Sequence, residues 1–209
     1  MSEQEDRTIP MFPLGSVLLP TSVLPLHIFE PRYRAFAQDV MAGDREFGVT
    51  LIERGFEVGG DDVRTVVGCL AQVLEAEEFD DGRWALVCVG TRRIEVTQWL
   101  PDDPYPRARV RDIPDTPSTP ADIPTYGEAT KLLRQIMDLR QQLAMPTLQV
   151  PDIAEDPALG SYQVAALAPF GPFDRQRVLS TGEPAARLAL LIQLLVDQLE
   201  DLDAQQRLQ

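Results

Sequence analysis

The chain has 209 residues, 44% hydrophobic and 7% aromatic, a composition that supports a packed core in one large domain or two small ones. Thirty-three acidic residues against nineteen basic ones give a net charge of -14, which repels polyanions and makes nucleic acid an unfavoured partner. The start, MSEQEDR, is acidic where a secretion signal needs basic then apolar residues, and the longest apolar run, LALLIQLLV at 188–196, falls far short of a bilayer span, so a cytoplasmic location without a membrane partner is expected.

Strand patterns open the chain. TIPMFPL (8–14) and SVLLP (16–20) are short apolar runs broken by Pro13, Gly15 and Pro20, as suits bent or edge strands. The strand LHIF then meets Pro31, a residue suited to the first position of a helix, and Tyr33, Phe36, Ala37, Val40 and Met41 recur at helical spacing up to Gly43. Further strands are predicted at EFGVTLIE (46–53), VRTVVGCLAQVLEAEEF (63–79), RWALVCVGTRRIEVTQWL (83–100) and YPRARVRDI (105–113), separated by RGFEVGGDD, DDG and PDDP. The two long strands carry apolar residues on both faces, and Gly68 and Gly90 offer places to bulge, so a curled, barrel-like antiparallel sheet is expected.

If the hairpin turns at Asp80 to Gly82, Cys69 falls opposite about Arg93, and its offset from Cys88 exceeds the ~7 Å reach of a disulfide. Two reduced, buried thiols are predicted. The segment PDTPSTPADIP (114–124) holds four prolines and reads as a stiff linker between a β lobe (1–113) and a helical lobe (125–209). In the second lobe, Thr125 with Glu128 predicts a capping box for a helix to about Leu143. Asp156-Pro157 opens a helix that Pro169 stops, and Pro172 opens a single turn through Leu179. Ser180 with Glu183 predicts a second capping box before the stripe Leu188, Leu191, Ile192, Leu195, Val196, Leu199, Leu202. The fold class is α+β: a curled sheet followed by a helical bundle.

Catalytic constellations do not assemble. There is no G-x-x-x-x-G-K-[ST] loop and no G-x-S-x-G elbow, and the sole lysine, Lys131, sits on a predicted helix. His27 is the only histidine, and Cys69 and Cys88 lie in apolar strands that raise a thiol's pKa. Neither metal spacing nor a cofactor motif occurs, so no metal, cofactor or catalytic residue is expected. The pairs Asp61-Asp62, Asp80-Asp81 and Asp102-Asp103 read as solvated turns. His27 itself reads first as a half-buried histidine bonded to a neighbour and second as a binding residue. Arg92 and Arg93, adjacent on a strand, must face opposite ways, and one of them is expected to pair with an acidic residue.

The runs FPLGSVLLPTSVLPLHIFEPRYRAFAQDVMAGDREFGVTLIERG and VGCLAQVLEAEEFDDGRWALVCVGTRRIEV closely resemble the amino-terminal substrate-binding domain of Lon proteases. The shared pattern lies in Phe12 to Leu14, Pro25 to Tyr33, Gly48-Val49, Val67-Gly68 with Ala71, Asp81 to Arg83, and Val89 to Arg93; DRQRVLS (174–180) and Arg187-Leu188 match more weakly. That resemblance implies a PUA-like sheet followed by a helical bundle. It also implies a non-enzymatic, stand-alone binding protein for unfolded or exposed apolar protein segments, because the ATPase and protease modules of the full protease have no counterpart in this sequence. The peptide would lie in a groove between sheet and bundle, against Phe29, Tyr33 and Trp99 and beside His27, Arg92 or Arg93. Two alternatives stand beside it. Leu190 and Leu194 widen the last helix's stripe enough for self-association, and Arg107, Arg109 and Arg111 form a basic stripe of the kind that would touch RNA, against the net charge.

Overall fold

A computed structural model describes residues 6–54, 63–147 and 152–207, so Asp61-Asp62 and most of RGFEVGGDD lie outside the described residues. The chain divides into two compact units, Met1–Pro114 and Asp115–Gln209.

The first unit holds β1 (Arg7–Leu14), β2 (Val23–Ile28), α1 (Pro31–Ala42), β3 (Glu46–Arg54), β4 (Val63–Arg64), β5 (Val67–Glu78), β6 (Trp84–Leu100) and β7 (Arg107–Ile113). The strands run in the order β1-β7-β6-β5-β3-β4, with β2 added on β6. Closure comes from β1. Its first half, Arg7 to Pro10, pairs antiparallel with β7, and its second half, Met11 to Leu14, pairs parallel with β3, so the expected curl is a closed barrel. Inside lie Ile9, Met11, Leu70, Ile94, Val96, Ala108 and Val110, with Trp99 packed against them. At one end of the barrel, on the same strand faces as this core, Arg7 and Arg92 each bond Glu46 and Asp112, at 2.7–3.2 Å for the four closest contacts, which ties the starts of β1 and β3 to β6 and β7.

Several local readings change. SVLLP is not a strand: Thr21 adopts a left-handed φ of 69°, and its N–H donates to the Gly90 carbonyl at 2.7 Å while the Gly90 N–H donates to Ser22. Leu18 and Leu19 are buried by that loop. A Cβ at position 90 would press on the Leu19 carbonyl, so only glycine fits there. The predicted bulge also occurs at this point, since Leu70 pairs with Arg92 and Ala71 with Gly90, skipping Thr91; Gly68 keeps regular pairing with Ile94. The strand expected over 63–79 breaks at Thr65, whose hydroxyl accepts the Leu51 N–H at 3.2 Å and so replaces a ladder bond. Cys69 pairs with Arg93 as expected, and both cysteines are buried.

The second unit contains α2 (Asp122–Gln142), α3 (Pro157–Leu167), α4 (Pro172–Ser180) and α5 (Pro184–Gln206). Neither predicted capping box forms. α2 starts at Asp122, inside the segment read as linker, because the Asp122 carboxylate takes the Thr119 N–H at 2.7 Å and Pro124 is tolerated in a first turn. α5 starts one residue after Glu183, with Pro184 at its first position, and Ser180 instead ends α4. α4 is also a nine-residue helix rather than a single turn. The expected start of α3 holds: Asp156 accepts from the Ala158 N–H ahead of Pro157.

Arg187 organises this unit. It is 0% exposed, and its guanidinium donates to Ser161 Oγ at 2.8 Å and to the carbonyls of Thr181, Gly182 and Ala158 at 2.8–2.9 Å, while lying 4.1 Å above the Tyr162 ring. From its place on α5, one side chain thus satisfies acceptors of α3 and of the α4–α5 turn. Arg187→Met is expected to strand these buried acceptors and to lower unfolding stability by about 3–5 kcal/mol. Urea denaturation followed by circular dichroism measures it, and a loss below about 1 kcal/mol would show that the guanidinium is not the bolt.

Candidate functional site

The first unit carries a cavity of about 250 Å³ lined by Phe12, Pro13, Leu14, Leu26, His27, Ile28, Phe29, Glu30 and Tyr33. Its walls follow from the closure of the barrel. β1 leaves β7 at Met11, so Phe12 to Leu14 flank the cavity on one side, and the end of β2 with the start of α1 flanks it on the other. Glu30, two residues past the end of β2, caps α1 through its carbonyl, which accepts from Tyr33 and Arg34 at 3.0 and 2.9 Å.

Two of the lining rings, Phe12 and Tyr33, belong to an aromatic stack. The Phe12 ring sits 4.5 Å from Tyr33 and 5.3 Å from Phe36, and Phe36 meets Phe47 and Tyr105 edge-on at 5.1 and 5.5 Å. Such tilted and edge-on pairs contribute about 0.5–1.5 kcal/mol each beyond their area. Arg32 lies 4.7 Å above the Tyr33 ring and bonds Glu30 at 3.1 Å, fixing the polar rim. Arg34 locks the corner from behind: its Nε donates to the Phe29 carbonyl and its Nη1 to the Asp81 carbonyl, both at 3.0 Å, so the hairpin turn holds the Phe29 backbone. Above this braced backbone the Phe29 side chain is 62% exposed.

The expected site residues therefore separate. His27, Phe29 and Tyr33 come together at the cavity. His27 is exposed rather than half-buried, because it is an outward residue of β2 between the buried Leu26 and Ile28. Arg92 is occupied by Glu46 and Asp112, the acidic pairing expected of one of the two arginines. Arg93 is 2% exposed and donates to the Pro114 carbonyl at 3.4 Å. Trp99 lies near the opposite end of β6, under the Arg64 guanidinium at 4.4 Å and against the barrel core. None of these three lines the cavity. Phe12 to Leu14, Leu26 and Ile28 were missed as site residues; the signal available was that the FPL and LHIF strands both end at one corner.

The alternatives resolve into placements. On α5, Leu188, Leu191, Leu194, Leu195 and Leu202 are buried, and Leu190 is half-buried. Arg107, Arg109 and Arg111 are exposed on β7, with Arg111 bonded to Glu95 at 2.7 Å. A more polar cavity of about 360 Å³ in the second unit is bordered by Tyr126, Arg134, Asp152 and Glu155. Its Tyr126 hydroxyl is occupied by the Ala154 carbonyl at 2.6 Å. Among the described residues, no group of three or more His, Cys, Asp or Glu could hold a metal ion, and no helix is long and apolar enough to cross a membrane.

Residues 8–197 match the family described as the ATP-dependent protease La (LON) substrate-binding domain. The chain is 30% identical to Lon protease 1 of Herpetosiphon aurantiacus over all of its own length and 27% of that protein, and 27% identical to Lon protease 2 of Myxococcus xanthus over 92% of its length and 24% of that protein. It thus spans about a quarter of the curated relatives it matches. Among solved structures, a Lon N-terminal domain protein from Xanthomonas campestris aligns with a TM-score of 0.65 at 25% identity, covering 89% of this chain and 97% of that one. The N-terminal domain of Mycobacterium avium complex Lon protease, at 18% identity, shares the fold with a TM-score of 0.68 over 91% of this chain and 99% of that one.

Burial pushes the Cys88 thiol from its ordinary 9.0 up to about 12. Burial and then the hydrogen bond to Asp39 push Tyr105, at the edge of the aromatic stack, from 10.0 up to about 12. Both groups are held neutral by the folded state, so their stabilisation is complete below pH 9 and is lost as pH rises from 9.0 through about 12. The thermal midpoint is expected to fall across that window, and Cys88→Ala to remove the part that begins near pH 9. A midpoint that stays level from pH 9 to 11.5 contradicts this.

Proposed function

The chain belongs to the family of ATP-dependent protease La (LON) substrate-binding domains, and on that premise we propose that it is a non-enzymatic module that holds exposed apolar segments of other proteins at the corner pocket. The observation that carries this reading is Phe29: a large apolar side chain, 62% exposed, on a backbone braced by Arg34 beside an apolar cavity. Surface apolar groups held rigidly lose little freedom on binding, so burial against an unfolded client turns largely into affinity. Folded proteins keep such segments inside, which supplies the discrimination. The buried thiols Cys69 and Cys88 suit the cytoplasm, where unfolded clients accumulate during synthesis.

Phe29→Ser tests the reading. Full burial of a Phe side chain stabilises by about 1.5–3 kcal/mol, so affinity for a labelled, permanently unfolded protein should drop roughly tenfold to a hundredfold. Arg92→Ala should lower stability and leave that affinity alone. Fluorescence anisotropy against folded and reduced, carboxymethylated forms of one protein decides it: equal binding of the two forms, or no response to Phe29→Ser, would overturn the proposal.

A further inference from the structure

In an antiparallel sheet, residues directly opposite one another share a face, and one face usually meets water. The pairings of β2, β6 and β5 place Val23 opposite Val89 and Gln72, Pro25 opposite Val87 and Glu75, and His27 opposite Ala85 and Glu77. On the inward face of this three-stranded arm, Leu26, Ile28, Trp84, Leu86, Cys88 and Val73 are buried. The outward face is also apolar along its centre. Val23 is 64% exposed, Pro25 is exposed, and Ala85, Val87 and Val89 are half-buried between their neighbours. A strand that is apolar on both sides, as in WALVCV, is the pattern of a strand covered on both sides.

The border of this face identifies what covers it. Its β5 edge is Gln72, Glu75 and Glu77, the two glutamates exposed; no Lys or Arg stands among the nine paired residues, and Arg92, the next residue along this face, is already held by Glu46 and Asp112. We propose that the outer face of the β2–β6–β5 arm docks a polypeptide segment that is apolar on one side and basic along its edge. Val23, Pro25, Val87 and Val89 receive the apolar side, and Glu75 and Glu77 receive the Lys or Arg. A second copy of this chain is disfavoured there, because it would bring further acidic columns together. The surface is separate from the corner pocket, which uses the inward Leu26 and Ile28; only His27 belongs to both.

The test compares an amphipathic Leu/Lys peptide with its Leu/Glu counterpart by fluorescence anisotropy on the whole chain. The wild type should prefer the basic peptide by about tenfold or more, and Glu75→Lys with Glu77→Lys should reverse that preference. Glu200→Lys with Asp201→Lys, the same change of net charge at exposed sites on α5, should leave it in place. Val87→Asp should abolish binding of the basic peptide, with Val23→Asp at the more exposed position as the variant that keeps the fold. Phe29→Ser should have no effect, which separates this surface from the pocket. The proposal fails if the two charge pairs act equally, if Val23→Asp and Val87→Asp leave binding intact, or if light scattering shows a wild-type dimer that Val87→Asp disperses.

Discussion

Closure of the barrel depends on one strand serving two neighbours. Eight residues of β1 are divided between β7 and β3, antiparallel for the first four pairs and parallel for the last four. The switch falls at Pro10 and Met11, where the Met11 N–H still reaches the Pro106 carbonyl at 2.9 Å. A proline in a central strand forfeits a ladder bond, but at a change of partner the bond is lost in any case. The ring of Arg7, Glu46, Arg92 and Asp112 then joins both partners of β1 at one end of the barrel. Because β1 departs from β7, its last residues are free to face the end of β2, and the corner pocket is the space left between them.

That dependence explains which parts of the architecture were legible in the sequence. Periodicity marked α1, β3, β6 and β7, and the turn chemistry of DDG fixed the hairpin well enough to set Cys69 against Arg93. The local signals failed where a side chain or a loop competed with them. SVLLP has strand composition, yet the contact of its turn with Gly90 holds it as a loop. Thr125-x-x-Glu128 and Ser180-x-x-Glu183 have the letters of capping boxes, yet Asp122 and Pro184 begin those helices instead. A cap is decided by which residue first turns helical, and a four-residue motif does not carry that information.

The pocket was legible by half. PLHIFEPRYR named the corner and three residues that meet there, because the change from strand to helix is written in Pro31 and in the spacing of Tyr33 and Phe36. The opposite wall was not, since Phe12 to Leu14 arrive only through a parallel pairing with β3 that lies more than thirty residues away in sequence. Arg92, Arg93 and Trp99 show the reverse error. Charged and aromatic residues on a strand look like binding groups when read singly, and here an acidic protein of net charge -14 supplies Glu46 and Asp112 to occupy Arg92.

Exposed apolar surface on this unit is thus of two kinds with different origins. At the corner, Phe29 is held out by its neighbours: Arg34 fixes its carbonyl, and the stack beneath it is filled by Phe12, Tyr33 and Phe36. On the outer arm, the apolar side chains are spread along a ladder whose inward face already fills the core, so core packing gives no reason for Val23, Val87 and Val89 to be apolar. Hydrophobic side chains on an open face cost solubility and invite pairing with other chains. The adjoining glutamates oppose contact with a like-charged surface while leaving a basic one attractive. The two surfaces share β2, whose alternation sends Leu26 and Ile28 inward and Val23, Pro25 and His27 outward. A single six-residue strand therefore sets the spacing between the place where an apolar side chain is held and the place where a basic segment would lie.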